Sequence, residues 1–224
     1  MNIINKKYKK SMKIISILSE FKDLPNSRVL DVGCGKGLIS KTFVNNCREI
    51  ISVDIEDKRL TREGYKFELV KDEKLPFEDN SFDIVISNQV IEHVNNQDIH
   101  INEVCRVLKK DGVCYLATPN RYWPIEPHYY LPFLGALPNK IADIYLKIFR
   151  NKGYDVKLLS YNQLTNKLRK YFVIKDFTLE VIKDQKKYHL EKRYKIIPNV
   201  LVSRFYSGFI RYILPSYILI LKKK

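Results

Sequence analysis

The stretch Arg28 to Ile39, RVLDVGCGKGLI, sets Gly33, Gly35 and Gly37 at alternate positions directly after an apolar, β-branched run. Val29 to Val32 read as a buried strand, and an apolar periodic segment opens at Leu38. A strand that enters a helix through glycines is a ligand-cradling device. Glycine takes φ > 0 cheaply and lets backbone come close to a bound group, and the helix N-terminus favours negative charge. Asp54, in VDI, lies about 20 residues past Gly33, where a carboxylate can accept hydrogen bonds from both hydroxyls of a ribose. The glycines alone also fit a bare tight turn. The dinucleotide fingerprint wants its third glycine or alanine one position later, where this chain has Leu38, so NAD binding is disfavoured.

The elements that hold these residues alternate. Asn5 to Phe21 reads as a basic helix, SRVLDV as strand one, LISKTFVNN as a helix, EIISVDI as strand two and KFELV as strand three. FDIVISN, residues 82–88, is strand four. A helix from Gln97 to Leu108 leads through a turn, KKDG, to strand five, GVCYLATPN. Arg121 to Tyr154 is rich in proline and aromatics and reads as a cap with a helix over Lys140 to Phe149. Ser160 and Gln163 form a capping box that opens a helix to Tyr171. FVIKDFTLEVI reads as strand six, Asn199 to Ile213 as a helix and SYILILKKK as a last strand. Continuous apolar strands alternating with helices predict an α/β fold: a doubly wound, mostly parallel seven-stranded sheet, helices on both faces, with the cap after strand five.

A length of 224 residues suits one domain. The expected parts are an N-terminal basic helix (1–24), a cofactor-binding half (25–120), the cap (121–158) and the rest of the sheet (159–224). The net charge of +15 favours anionic partners, and much of it sits at the two ends, whereas Asp72 to Asp98 is acidic. Cys34, Cys47, Cys105 and Cys114 show no CxxC spacing, which argues against a zinc site or a disulfide framework and fits a reducing cytoplasm. IISIL is short for a signal-peptide core, and charged residues and prolines interrupt the apolar stretch Ile196 to Leu221, which argues against a spanning helix.

VLDVGCGKG, VDI, DEKLPFEDNSFDIVISNQVIEHV and RVLKKDG occur in this order and spacing. Over residues 25–120 the chain resembles class I S-adenosylmethionine-dependent methyltransferases, of the type 11 subgroup related to the ubiquinone and menaquinone biosynthesis enzymes. That resemblance implies S-adenosyl-L-methionine as cofactor and S-adenosyl-L-homocysteine as product. It implies that Asp31, Gly33, Cys34, Gly35 and Gly37 form the cofactor loop, with loop N–H groups meeting the methionine carboxylate. Asp54 binds the ribose and Ile55 packs on the adenine. Asn88 and Gln89 face the sulfonium region. KDEKLPF is one residue shorter than the GDAE form common among relatives, so either Asp72 or Glu73 reaches the adenine amino group.

In-line methyl transfer needs positioning and a dry site, and a base chiefly when the acceptor is a hydroxyl. His93 and His128 are the candidates, each with a plain packing role as its alternative. Tyr122, Trp123, Tyr129 and Tyr130 either close a lid over substrate or form the core of the cap. No resident metal is expected. The favoured partner is a small-molecule acceptor such as a quinone precursor, a lipid or a lipid-linked glycan, with peripheral contact to an anionic membrane as an option. The second reading is an RNA or protein methyltransferase that uses the basic surface.

Overall fold

The computed structural model describes residues 3–190 and 214–224. The expected helix Asn199 to Ile213 lies outside the described residues. Strands β1 (Arg28–Val32), β2 (Glu49–Asp54), β3 (Lys66–Leu69), β4 (Phe82–Asn88), β5 (Leu108–Pro119), β6 (Phe172–Asp176) and β7 (Ser216–Lys223) form one seven-stranded sheet. Its order is β3-β2-β1-β4-β5-β7-β6. Pairing from β3 to β5 is parallel, and β7 runs antiparallel to both β5 and β6. This is the expected doubly wound architecture. The strand order reverses between β1 and β4, so a crevice opens beyond the carboxyl ends of these strands.

Alternation along the central strands feeds two cores. Leu30, Val85, Cys114 and Leu116 face one layer with Ile101, Val104 and Val107 of α3 (Gln97–Val107) and Leu164 and Leu168 of α5 (Tyr161–Leu168). Val29, Ile84, Ile86, Val113 and Tyr115 face the other, with Ile14, Ile17 and Leu18 of α1 (Ile3–Leu18) and Phe43 of α2 (Leu38–Phe43). Each such side chain removed from water contributes about 1.5–3 kcal/mol. Phe82, fully buried, meets Phe77 edge-on at 5.0 Å, so both are core.

Two local expectations are corrected. KKDG does not turn the chain. Leu108 starts β5 directly after α3, and Lys109 to Gly112 are absorbed as an irregularity between the pairs Phe82–Leu108 and Ile84–Val113. The extra residues place Lys109 Nζ 2.7 Å from the Asp83 carboxylate. The expected strand FVIKDFTLEVI stops at Asp176, whose Oδ1 accepts the Thr178 amide at 3.0 Å. A short helix α6 (Thr178–Lys183) follows, burying Leu179, Val181 and Ile182. Its β-branched composition disguised a helical burial pattern. The capping box at Ser160 is present with both of its bonds, although α5 ends at Leu168 rather than Tyr171.

The cap follows β5. Helix α4 (Asn139–Arg150) packs Ala142 and Leu146 on Leu131 and Leu134, with Tyr129 and Tyr154 at the edge. Among the described residues no helix is long and apolar enough to cross a membrane.

Candidate active site

A cleft of about 400 Å³ lies over the carboxyl ends of β1, β2 and β4. Gly33, Gly35, Asp54, Ile55, Asp72, Glu73, Gln89 and His93 all line it, so residues up to 60 positions apart in sequence meet as expected. Gly33, Gly35 and Gly37 have φ of 66°, 52° and 70°. A Cβ on Gly33 would lie 2.6 Å from the Val90 side chain, whereas one on Gly35 would meet nothing within 4 Å. Gly35 therefore leaves open space at the cleft wall, and Gly33 allows Val90 to close against the loop.

The loop amides are used differently from expectation. The N–H groups of Gly33 and Cys34 donate to the Val53 carbonyl, and that of Gly35 donates to Asp54 Oδ2 at 2.7 Å. These bonds strap the loop to the end of β2. Asp54 Oδ1 takes the Ile55 amide at 2.8 Å, which fixes the carboxylate at the rim, and Ile55 stands exposed beside it.

Three expected loop residues lie behind the cleft surface. Asp31 is buried and accepts the Ser40 hydroxyl at 2.5 Å, and that hydroxyl in turn accepts Ser52 Oγ. Burial raises the Asp31 carboxyl to about 7, against the lowering effect of the Ser40 bond. Cys34 is buried, and desolvation pushes its thiol up to about 12, which leaves it no nucleophilic character. Gly37 begins α2, where a Cβ would collide with the Tyr65 hydroxyl. Asn88 ends β4 outside the cleft lining, with its Oδ1 buried and without a partner among the described residues. Gln89 lines the cleft with φ of 62°.

The two acidic candidates at the far wall are distinguished by their bonds. Glu73 Oε1 accepts the amides of Asn95 and Asn96 at 2.6 and 3.1 Å, pinning the loop before α3. Asp72 bonds the Lys74 amide through Oδ1 and is exposed.

Beside the cleft, His93 and His128 meet edge to face at 4.9 Å between ring centroids. Glu126, fully buried, holds His128 Nδ1 at 2.6 Å through Oε1, while its Oε2 accepts the amides of His128 and Tyr129 at 2.8 and 2.7 Å. Burial opposes protonation of His128, but the bonded Glu126 outweighs it and the imidazole sits above its ordinary value. Burial, then the charge of His128, holds His93 below its own. Glu92 is buried; Thr118 donates to its Oε2 at 2.9 Å, its Oε1 has no side-chain partner among the described residues, and desolvation raises its carboxyl. Ligand-capable atoms of Glu92, His93 and His128 lie within 4.8 Å of one another. One carboxylate and two imidazoles are a donor set that divalent transition ions accept, and the cysteine spacing carried no hint of this grouping.

Glu126 was not singled out in the sequence, although IEPH sets a carboxylate two residues before a histidine. His100 is buried at the cleft floor, bonded to Ser87 at 3.0 Å and lowered to about 4 by burial. Among the described residues the aromatic lid is not formed. Tyr122 and Tyr130 point to solvent, Tyr129 belongs to the cap core, and none of the four aromatics lines the cleft.

The residues fit a nucleoside with an amino-acid tail: open space above Gly35, a carboxylate fixed at the end of β2, and an exposed carboxylate across the cleft. Fold and cleft agree with the class I S-adenosylmethionine-dependent methyltransferases, the class and cofactor that the matches support. Residues 30–116 match the family model described as "Methyltransferase domain". The ubiquinone biosynthesis O-methyltransferase of Pelagibacter ubique is 31% identical over 124 residues, 49% of either chain. The chain thus spans about half the length of the curated relatives it matches. An S-adenosylmethionine-dependent methyltransferase from Mesorhizobium loti shares the fold with a TM-score of 0.61 at 11% identity, over 95% of this chain and 98% of that one. The [4+2]-cyclase SpnF does so with 0.58 at 16%, over 95% and 80%. A fold that also serves a cyclase leaves the reaction to be argued from the site.

Proposed function

We propose that this protein transfers a methyl group from S-adenosylmethionine to a hydroxyl oxygen of a small-molecule acceptor. The observation that carries this reading is the Glu126–His128 pair, a buried carboxylate 2.6 Å from an imidazole that meets a cleft-lining histidine edge to face. A hydroxyl is a poor nucleophile until its proton leaves, and an oriented imidazole is the group to take it.

The cofactor, when bound, supplies a methyl group on a positively charged sulfur. Asp54 accepts hydrogen bonds from the ribose hydroxyls, its orientation fixed by Gly35 and Ile55. Ile55 covers the adenine face, and Asp72 takes the adenine amino group because Glu73 is committed to the Asn95 and Asn96 amides. Gln89 and the Gly33–Val90 contact border the methionine end. His128 donates its Nδ1–H to Glu126 Oε1, which leaves Nε2 to accept the acceptor's proton. His93 shields that imidazole and holds it at the edge of the cleft. Glu92, whose carboxyl burial raises, lies beside the pair and adds to the negative field that favours the His128 imidazolium. Positioning at near-attack distance supplies most of the barrier lowering, on the order of 7–11 kcal/mol in favourable systems.

Support also comes from the name of the Pelagibacter relative, an O-methyltransferase. The test is transfer of label from methyl-tritiated S-adenosylmethionine to a panel of phenols, alcohols and amines. Labelling of hydroxyl compounds, lost in His128→Ala, is the expected result. Transfer to amines only, with His128→Ala fully active, would contradict the oxygen assignment.

A further inference from the structure

Helix α4 covers only one edge of its apolar arc. Ala142 and Leu146 pack into the cap, but Ile141, Ile144 and Ile148, at i, i+3 and i+7, stand 52%, 59% and 71% exposed on a single stripe. Phe149 adds a further exposed ring at 59%. Lys140, Lys147 and Arg150 occupy the remaining arc, countered there by Asp143 alone, which pairs with Lys147 at 2.6 Å. The apolar face thus has a cationic border.

The loop packed under α4 behaves in the same way. Leu131 and Leu134 turn inward, while Tyr130 and Phe133 turn outward at 73% and 62% exposure. Both outward residues have φ of 56°, a left-handed conformation that bulky side chains rarely adopt. The Tyr130 amide bonds the Glu126 carbonyl, the Phe133 amide bonds that of Pro124, and Ile125 bridges Pro132. The loop is held in a shape that presents its aromatic rings to solvent.

We propose that α4 and the 124–133 loop form a docking surface for an anionic lipid bilayer. A wide apolar stripe of isoleucine and phenylalanine, a Lys/Arg border and tyrosine are the parts of a helix that lies in the head-group region. The net charge of +15 acts in the same direction. A second copy fits less well, since a two-fold contact through this stripe would bring both cationic borders together. The proposal is independent of the methyl-transfer reading, and its test requires no turnover.

The experiment is flotation of the full chain with phosphatidylcholine vesicles, with and without phosphatidylglycerol. The wild type floats with the anionic vesicles, and Ile144→Ser/Ile148→Ser, which leaves the charge unchanged, binds at least about tenfold more weakly. Tyr130→Asn/Phe133→Asn, suited to the left-handed backbone, weakens binding as well. Val173→Ser, which removes an equally exposed apolar residue on β6, changes nothing. Circular dichroism melts confirm that each variant is folded. Absence of wild-type flotation, or equal flotation of the wild type and Ile144→Ser/Ile148→Ser, would overturn the proposal. So would light scattering that shows a wild-type dimer made monomeric by the isoleucine substitutions.

Discussion

Glu126 and His128 form a dyad in which a fully buried carboxylate lies 2.6 Å from Nδ1 and also accepts two backbone amides. The backbone bonds keep the carboxylate in place whatever the imidazole does. The imidazole is therefore fixed in one tautomer with its other nitrogen free.

The pair gives a pH profile with a definite sign. A base must be unprotonated, and Glu126 holds His128 above the ordinary 6.5. kcat/KM should fall on the acid side through an apparent pKa above 6.5. In Glu126→Gln the imidazolium loses its partner, so that limb moves to lower pH while kcat drops about 10- to 100-fold. An acid limb unmoved by this substitution would assign Glu126 to loop structure alone.

The acidic wall makes a second prediction. Asp72→Asn should weaken S-adenosylhomocysteine binding about five- to tenfold, the loss of one hydrogen bond, with the melting temperature unchanged. Glu73→Gln should lower the melting temperature instead, since Glu73 ties two amides before α3. Calorimetry and thermal melts of both variants separate the two roles.

At the glycine loop, Gly33→Ala combines a left-handed φ of 66° with a methyl 2.6 Å from Val90. Gly35→Ala meets open space and carries only the backbone strain, about 1–2 kcal/mol. Gly33→Ala should be the more destabilising, and Val90→Ala should restore part of its stability but none of Gly35→Ala's. Denaturant unfolding of these variants checks the order.

Asp31 couples stability to pH. Its carboxyl is raised from 3.8 to about 7 in the folded state, so the folded chain binds more protons than the unfolded chain between those values. Stability contributed by this group is therefore present below about pH 4 and is lost as pH rises through 7, by up to roughly 4 kcal/mol. Asp31→Asn should flatten this fall without weakening cofactor binding. Urea unfolding at pH 5 and pH 8 measures it.

The sheet and the wall of the cleft were legible because both depend on local patterns: apolar strand runs, glycines at alternate positions and an acidic residue at the end of β2. What the pattern missed depended on distant or competing contacts. Thr178 to Lys183 carries strand-like residues, yet Asp176 and β7 turn it into a helix. Lys109 to Gly112 looks like a turn, yet it is absorbed beside Asp83. Asp31 and Cys34 share the loop's spacing but face the layer behind it. Glu126 meets His128 within the folded cap, which sets His128 against His93, 35 residues earlier in the chain.

The central claim, that this cleft holds S-adenosylmethionine, is tested most directly by calorimetric titration with S-adenosylhomocysteine and with NAD, on wild type and Asp54→Ala. The account predicts micromolar binding of S-adenosylhomocysteine, lost or at least about tenfold weaker in Asp54→Ala, and no binding of NAD. Failure of the wild type to bind S-adenosylhomocysteine, or equal affinity in both proteins, would contradict it.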